Sequence, residues 1–128
     1  QVAAVRSLMD SVGRTILIDE DYFPVFQALA SCSPAWYFQI IDSFARAGLK
    51  YGLSKDSAVE IAAQAMAGAA TLLLAEREAG TIPAQLIDRV TSPGGTTIAG
   101  LLAAEEGGLS NALVGAVDAS IHADSHLG

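Results

Sequence analysis

Cysteine is nearly absent from this 128-residue chain, where Cys32 stands alone. No internal disulfide can form, and a reducing, cytoplasmic setting suits such cysteine usage. Basic residues are also few. The seven (Arg6, Arg14, Arg46, Lys50, Lys55, Arg77, Arg89) are scattered among fourteen acidic ones, for a formal charge of −7. No basic stripe is available to a phosphate backbone, which argues against a nucleic-acid partner. Long hydrophobic runs are missing too. The most apolar stretch, Ile61 to Ala75, carries Gln64 and Thr71. It falls short of the roughly 20 residues of a membrane span, so no membrane partner is expected. Arg6 and Asp10 bracket the start in place of an apolar leader. The first residue is Gln1, not methionine, and the chain reads as a piece of a longer one. Neither Gly-x-Gly-x-x-Gly nor Gly-x-x-x-x-Gly-Lys-Ser/Thr occurs, and no strand–helix alternation supports a Rossmann unit. The chain alone is therefore expected to hold no dinucleotide.

Apolar residues, alanine above all, make up 52% of the sequence. At this length one domain is expected, residues 1–128. Area scaling lets such a chain bury about two-thirds of its unfolded surface, enough for a core without covalent staples.

The periodicity predicts helix nearly throughout. Val5, Leu8, Met9 and Val12 share one face of a first helix, with Gly13 placed to end it. Thr15 to Asp19 reads as one short extended connector. Asp19, Glu20 and Asp21 suit the N-terminus of a second helix, with Pro24 tolerated in its first turn. Ser33-Pro34 predicts the cap and first position of a third helix, whose apolar side is Trp36, Tyr37, Ile40, Ile41 and Phe44. Ser54 caps a fourth that runs to about Glu78, with Gly80 as its stop. A fifth starts at Pro83. Thr91-Ser92-Pro93 begins a sixth, broken by Gly107-Gly108, and a seventh spans about Ser110 to His126.

The fourth helix bears on assembly. Val59, Ala63, Met66, Ala70 and Leu73 form one apolar face, and Ile61, Ala65, Gly68, Leu72 and Ala75 form another. Only Glu60, Gln64 and Thr71 remain as a polar stripe. Such a helix needs burial on most sides. Two arrangements supply it: a central helix within one monomer, or packing against a second copy of the chain. The second is favoured, because short helices from one chain would struggle to surround it.

For chemistry, the main candidate is Thr91-Ser92-Pro93-Gly94-Gly95-Thr96-Thr97. If a helix starts at Pro93, the N–H groups of Gly94 and Gly95 lie open at its positive end and suit a small carboxylate. Ser92, Thr96 and Thr97 add hydroxyls. The plainer reading of the same residues is an ordinary capped helix. Asp118, His122 and His126 share a face of the last helix at a spacing that can bind metal. Histidines near a helix C-terminus are also favoured electrostatically, and no metal site is expected. Ser31-Cys32-Ser33 has no histidine near it in sequence, and a structural role is expected.

The stretch from Asp88 to Leu101, Asp-Arg-Val-Thr-Ser-Pro-Gly-Gly-Thr-Thr-Ile-Ala-Gly-Leu, resembles the signature of the pyrroline-5-carboxylate reductases. Pro34-Ala35-Trp36, Ala47 to Leu53, Ala62-Ala63-Gln64, Gly68-Ala69-Ala70, Pro83 with Gln85-Leu86, and Glu105 to Leu109 agree in order and spacing, so the resemblance covers nearly the whole chain. It implies an all-α helical bundle that intertwines with its twin as a homodimer or higher oligomer, following a nucleotide-binding half that this chain lacks. It implies reduction of pyrroline-5-carboxylate, or a similar cyclic imino acid, to proline with NADPH or NADH. In that family the turn holds the substrate carboxylate, which corresponds here to Ser92, Gly94, Gly95 and Thr96. A threonine hydroxyl lies near the ring nitrogen, corresponding to Thr97. Two places depart from the pattern. Ser31-Cys32-Ser33 stands for Gly-Ser-Gly, and Ile87 for a basic residue after Gln-Leu. The alternative reading, from another class, is a non-catalytic helical dimerisation module of a reductase-like regulatory protein.

Overall fold

The structure, a computed structural model, describes residues 16–127. The helix expected around Val5–Val12 and the residue Thr15 lie outside them. Among the described residues there is helix but no strand. Ile16 to Asp19 carry no regular structure, and Asp19 is extended at φ −68°, ψ 148°. A 3₁₀ turn (Glu20–Tyr22) leads into helix α1 (Phe23–Gln27), a π turn (Ala28–Cys32) and helix α2 (Ser33–Lys50). Helix α3 (Lys55–Ala75) follows, then a 3₁₀ turn (Arg77–Ala79), and then α4 (Pro83–Val90), α5 (Thr96–Glu106) and α6 (Leu109–Leu127).

The second and third expected helices are one continuous helical segment. Cys32 and Ser33 both have right-handed helical torsions, so Ser33 is not the cap its place before Pro34 suggested. Its hydroxyl instead donates back to the Leu29 carbonyl at 2.6 Å. Proline has no N–H, and inside a regular α-helix its ring presses on the carbonyl four residues back. The wider π turn just before Pro34 lets the helix pass this point without ending.

The α2–α3 hairpin is closed by local chemistry. Gly52, at φ +102°, follows α2, with Gly52 N–H donating to the Leu49 carbonyl and Leu53 N–H to the Gly48 carbonyl. These bonds satisfy carbonyls that the helix end leaves open. Ser54 caps α3, its hydroxyl accepting from Ser57 N–H at 3.2 Å. The helices then approach closely. A methyl at Gly48 would sit 3.0 Å from the Ala58 Cβ, and Ala45 and Ala58 are buried at this contact. Asp42 on α2 ties the pair, meeting Lys55 at 3.0 Å and Arg46 at 2.9 Å.

The core expected of a self-sufficient chain is not present. Among the described residues the buried apolar side chains are Ala28, Ala45 and Ala58, and no large one is fully buried. The accessible surface is 9936 Å², against about 6,400 Å² for a folded monomer of this mass. The physical reason is shape. A hairpin and a train of shorter helices have no third layer to cover them. The larger apolar side chains face outward, with Ile61 at 59% and Phe44 at 63% exposure. Helix α3 has 21 residues, and an 18-residue stretch of it has a mean hydropathy of 1.6. By length and composition alone it could cross a membrane, because it starts six residues before Ile61.

Candidate functional site

The turn between α4 and α5 differs from expectation at one point that matters. Helix α5 begins at Thr96, with Gly95 as its N-cap, and not at Pro93. Ser92 to Gly95 form a β-turn, closed by Gly95 N–H donating to the Ser92 carbonyl at 3.0 Å. Pro93 takes the second position and Gly94 the third, where its φ of +72° is one that L side chains rarely adopt. The Ser-Pro pair that elsewhere opens a helix here opens a turn, because Gly94 permits the positive φ.

The candidate donors therefore shift along the chain. The Gly95 N–H is committed within the turn, and the first intrahelical bond runs from Ala99 N–H to the Gly95 carbonyl at 3.5 Å. The first-turn N–H groups without an intrahelical acceptor are those of Thr96, Thr97 and Ile98. They carry the positive end of the helix dipole, and the first turn holds no acidic side chain to compete with a bound anion. Gly95 has a role of its own. A Cβ there would lie 2.5 Å from Ser92 Oγ, so the missing side chain lets the Ser92 hydroxyl rest against the mouth of the helix. Ser92, Gly94, Gly95, Thr96 and Thr97 thus lie on one short turn, and all but half-buried Gly95 are exposed.

The sequence reading missed a set of contacts ahead of this turn. Glu76, just past the end of α3, accepts from Arg89 Nη1 through both carboxylate oxygens, at 2.8 and 2.9 Å. It also accepts from the Thr81 hydroxyl at 3.1 Å. The Arg77 guanidinium donates to the Thr81 carbonyl at 2.9 Å, and Thr81 is buried. The hydrogen bond from Arg89, helped by that from Thr81, holds the Glu76 carboxyl below its ordinary range despite some desolvation. At the start of α4 the Gln85 side chain accepts from Ile82 N–H at 2.9 Å. At its end the Thr91 hydroxyl donates to the Ile87 carbonyl at 2.9 Å, just before the turn. The only sequence signal was an arginine three residues before Ser92. Its partner, thirteen residues earlier, had none.

The other candidates lie elsewhere. Cys32 is half-buried in a groove of about 230 Å³, shared with Gln27, Ala28, Ser120 and Asp124, which includes no residue of the turn. Asp118 and His122 are on the exposed side of α6, and the side chain of His126 lies outside the described ones. Among the described residues no three His, Cys, Asp or Glu side chains gather for a metal ion. An apolar groove of about 550 Å³ runs along the α2–α3 hairpin between Phe44, Leu53, Ile61, Ala65 and Met66.

A helical domain with apolar faces left uncovered defines a class: an assembly domain. Residues 20–127 match the family described as pyrroline-5-carboxylate reductase dimerisation, and the chain belongs to that family. It is 41% identical over 119 residues to the pyrroline-5-carboxylate reductase of Treponema pallidum, covering 93% of this chain and 44% of that protein. It is 40% identical over 116 residues to human pyrroline-5-carboxylate reductase 2, covering 91% and 35%. Among solved structures, the Coxiella burnetii pyrroline-5-carboxylate reductase matches with a TM-score of 0.89 at 32% identity, over 100% of this chain and 47% of that one. The Plasmodium falciparum enzyme, solved with NADP bound, matches with a TM-score of 0.83 at 27% identity, over 98% and 47%. The chain spans less than half the length of these relatives.

Proposed function

We propose that the chain is the substrate-binding and dimerising part of a reductase that converts pyrroline-5-carboxylate, or a similar cyclic imino acid, to proline. The observation that supports this reading is the turn, where three helix N-terminal N–H groups without an intrahelical acceptor lie beside the Ser92 hydroxyl, a donor set suited to a small carboxylate. In this arrangement the N–H groups of Thr96, Thr97 and Ile98 and the Ser92 hydroxyl receive the carboxylate, while Gly94 and Gly95 give the turn its shape. The Thr97 hydroxyl hydrogen-bonds the ring nitrogen and orients the C=N bond, which is the protein's share of the work in cofactor chemistry.

No dinucleotide site is assigned to this chain, whose sequence carries no glycine-rich dinucleotide motif. NADPH or NADH, which supplies the hydride, is therefore assigned to a part of the protein beyond this chain. The NADP in the Plasmodium structure supports that cofactor class.

A second copy of the chain covers the apolar face. The uncovered surface on α3 and along the hairpin groove supports a homodimer of the obligate kind, and a higher oligomer is compatible with it. The same partner accounts for the apolarity of α3 without a membrane. A cytoplasmic location goes with the lone Cys32, and no nucleic-acid partner is proposed for so acidic a chain.

The test is steady-state reduction of pyrroline-5-carboxylate by the full-length protein with each nicotinamide cofactor. Cofactor oxidation is expected with the full-length protein and not with the 128-residue chain alone. A well-folded, dimeric full-length protein without activity on any cyclic imino acid would replace this reading with that of a non-catalytic dimerisation module.

A further inference from the structure

We infer that Glu76 is a positioning residue: its ion pair with Arg89 sets where the Ser92–Thr97 turn lies relative to the end of α3. The inference rests on the reading of that turn as a carboxylate cradle. Helix α4 leads straight into the turn, yet it is thinly packed. Its residues are exposed except Leu86, which is half-buried. Among the described residues, the Glu76–Arg89 pair is the one side-chain hydrogen bond or ion pair joining α4 to an earlier element. The anchor on the other side is firm. Glu76 adjoins the last turn of the 21-residue α3, its carboxylate also receives the Thr81 hydroxyl, and its carbonyl accepts Thr81 N–H at 3.3 Å. Arg89 sits in the last turn of α4, and the Thr91 hydroxyl closes that turn onto Ile87. A displacement of the arginine therefore passes to Ser92 across three residues of constrained backbone. A short helix held by one charged pair at its far end can pivot when the pair is lost, without opening the α2–α3 contact.

The experiment uses the full-length enzyme with Glu76→Gln, Arg89→Gln and the double variant. The readouts are kcat, KM for pyrroline-5-carboxylate and for the nucleotide, Tm, dimer mass, and amide hydrogen exchange of residues 83–98. Exposed ion pairs of this kind are worth about a two- to fivefold change in an equilibrium. Each single variant should raise KM for the imino acid by about that factor. The double variant should do no worse, because one interaction is being removed in each case. KM for the nucleotide and dimer mass should hold, Tm should fall only slightly, and exchange should quicken within residues 83–98 alone. An unchanged KM for the imino acid in either single variant overturns the inference. So do additive effects in the double variant, or a joint rise of both KM values with a falling Tm. If the wild-type enzyme does not reduce pyrroline-5-carboxylate, the reading of the turn falls. Hydrogen exchange then decides alone: unaltered exchange across residues 83–98 refutes the positioning role, and locally faster exchange upholds it.

Discussion

Replacing Gly95 with valine places a side chain at the tightest point of the turn. The backbone of Gly95, at φ −80° and ψ 172°, is open to any residue, so torsional strain is not the issue. The new Cβ would stand 2.5 Å from Ser92 Oγ and 3.2 Å from the Ser92 carbonyl oxygen. The hydroxyl has to rotate away, and the carbonyl has to yield by a few tenths of an ångström. Valine is also a poorer N-cap than glycine, so α5 should lose about 1 kcal/mol, a few degrees in Tm. The effect on binding is larger. With the Ser92 hydroxyl displaced and methyl groups over the Thr96 N–H, the substrate carboxylate loses a charge-assisted hydrogen bond worth roughly 1.5–3 kcal/mol. KM for pyrroline-5-carboxylate should rise about ten- to a hundredfold, with KM for the nucleotide unchanged. Steady-state kinetics on the full-length enzyme, with thermal unfolding alongside, measures both. A folded Gly95→Val enzyme whose KM for the imino acid stays within about twofold refutes the assignment of this turn as the carboxylate cradle.

Other perturbations follow from the same geometry. Thr97→Val should lower kcat by about ten- to a hundredfold, more than it weakens substrate binding, if its hydroxyl acts mainly as the ring nitrogen gains electron density; a wild-type kcat would remove that role. An aspartate at Ile61, 59% exposed in the isolated chain, should bury an unpaired charge between two copies. Light scattering at micromolar concentration should show a dimer for the unmodified chain and a monomeric or unfolded species for Ile61→Asp, and a dimer in both would place the interface elsewhere. The Glu76 carboxyl is held below the ordinary carboxyl range by Arg89, so its stabilising contribution is full above that range and is lost as the pH falls through the lowered folded value. Glu76→Gln should flatten that part of the acid limb of a stability–pH profile, and an identical limb in both proteins would show that the ion pair contributes nothing there.

Much of the local structure was legible in the chain itself. Ser54 as a cap, Pro83 as a helix start and Gly107-Gly108 as a break each act through their own backbone chemistry, which neighbouring elements do not alter. Gly80, at φ +81°, instead ends the 3₁₀ turn after α3 and not α3 itself, which stops at Ala75. The apolar circumference of α3 was equally plain, and with it the need for a covering partner. Ser-Pro was the ambiguous signal. It suits a helix start and the opening of a turn alike. At Ser33-Pro34 the helix ran on through a π turn, and at Ser92-Pro93 the chain turned first, deferring the helix to Thr96. Which outcome holds depends on what flanks the pair: helix already formed before Ser33, and Gly94 free to take positive φ after Pro93. The Glu76–Arg89 tie was beyond sequence reading for a different reason. A side-chain contact across thirteen residues exists only once the turn at Gly80 has folded α4 back toward the end of α3. The seven residues between those helices fix that placement in three dimensions, and no periodicity records it.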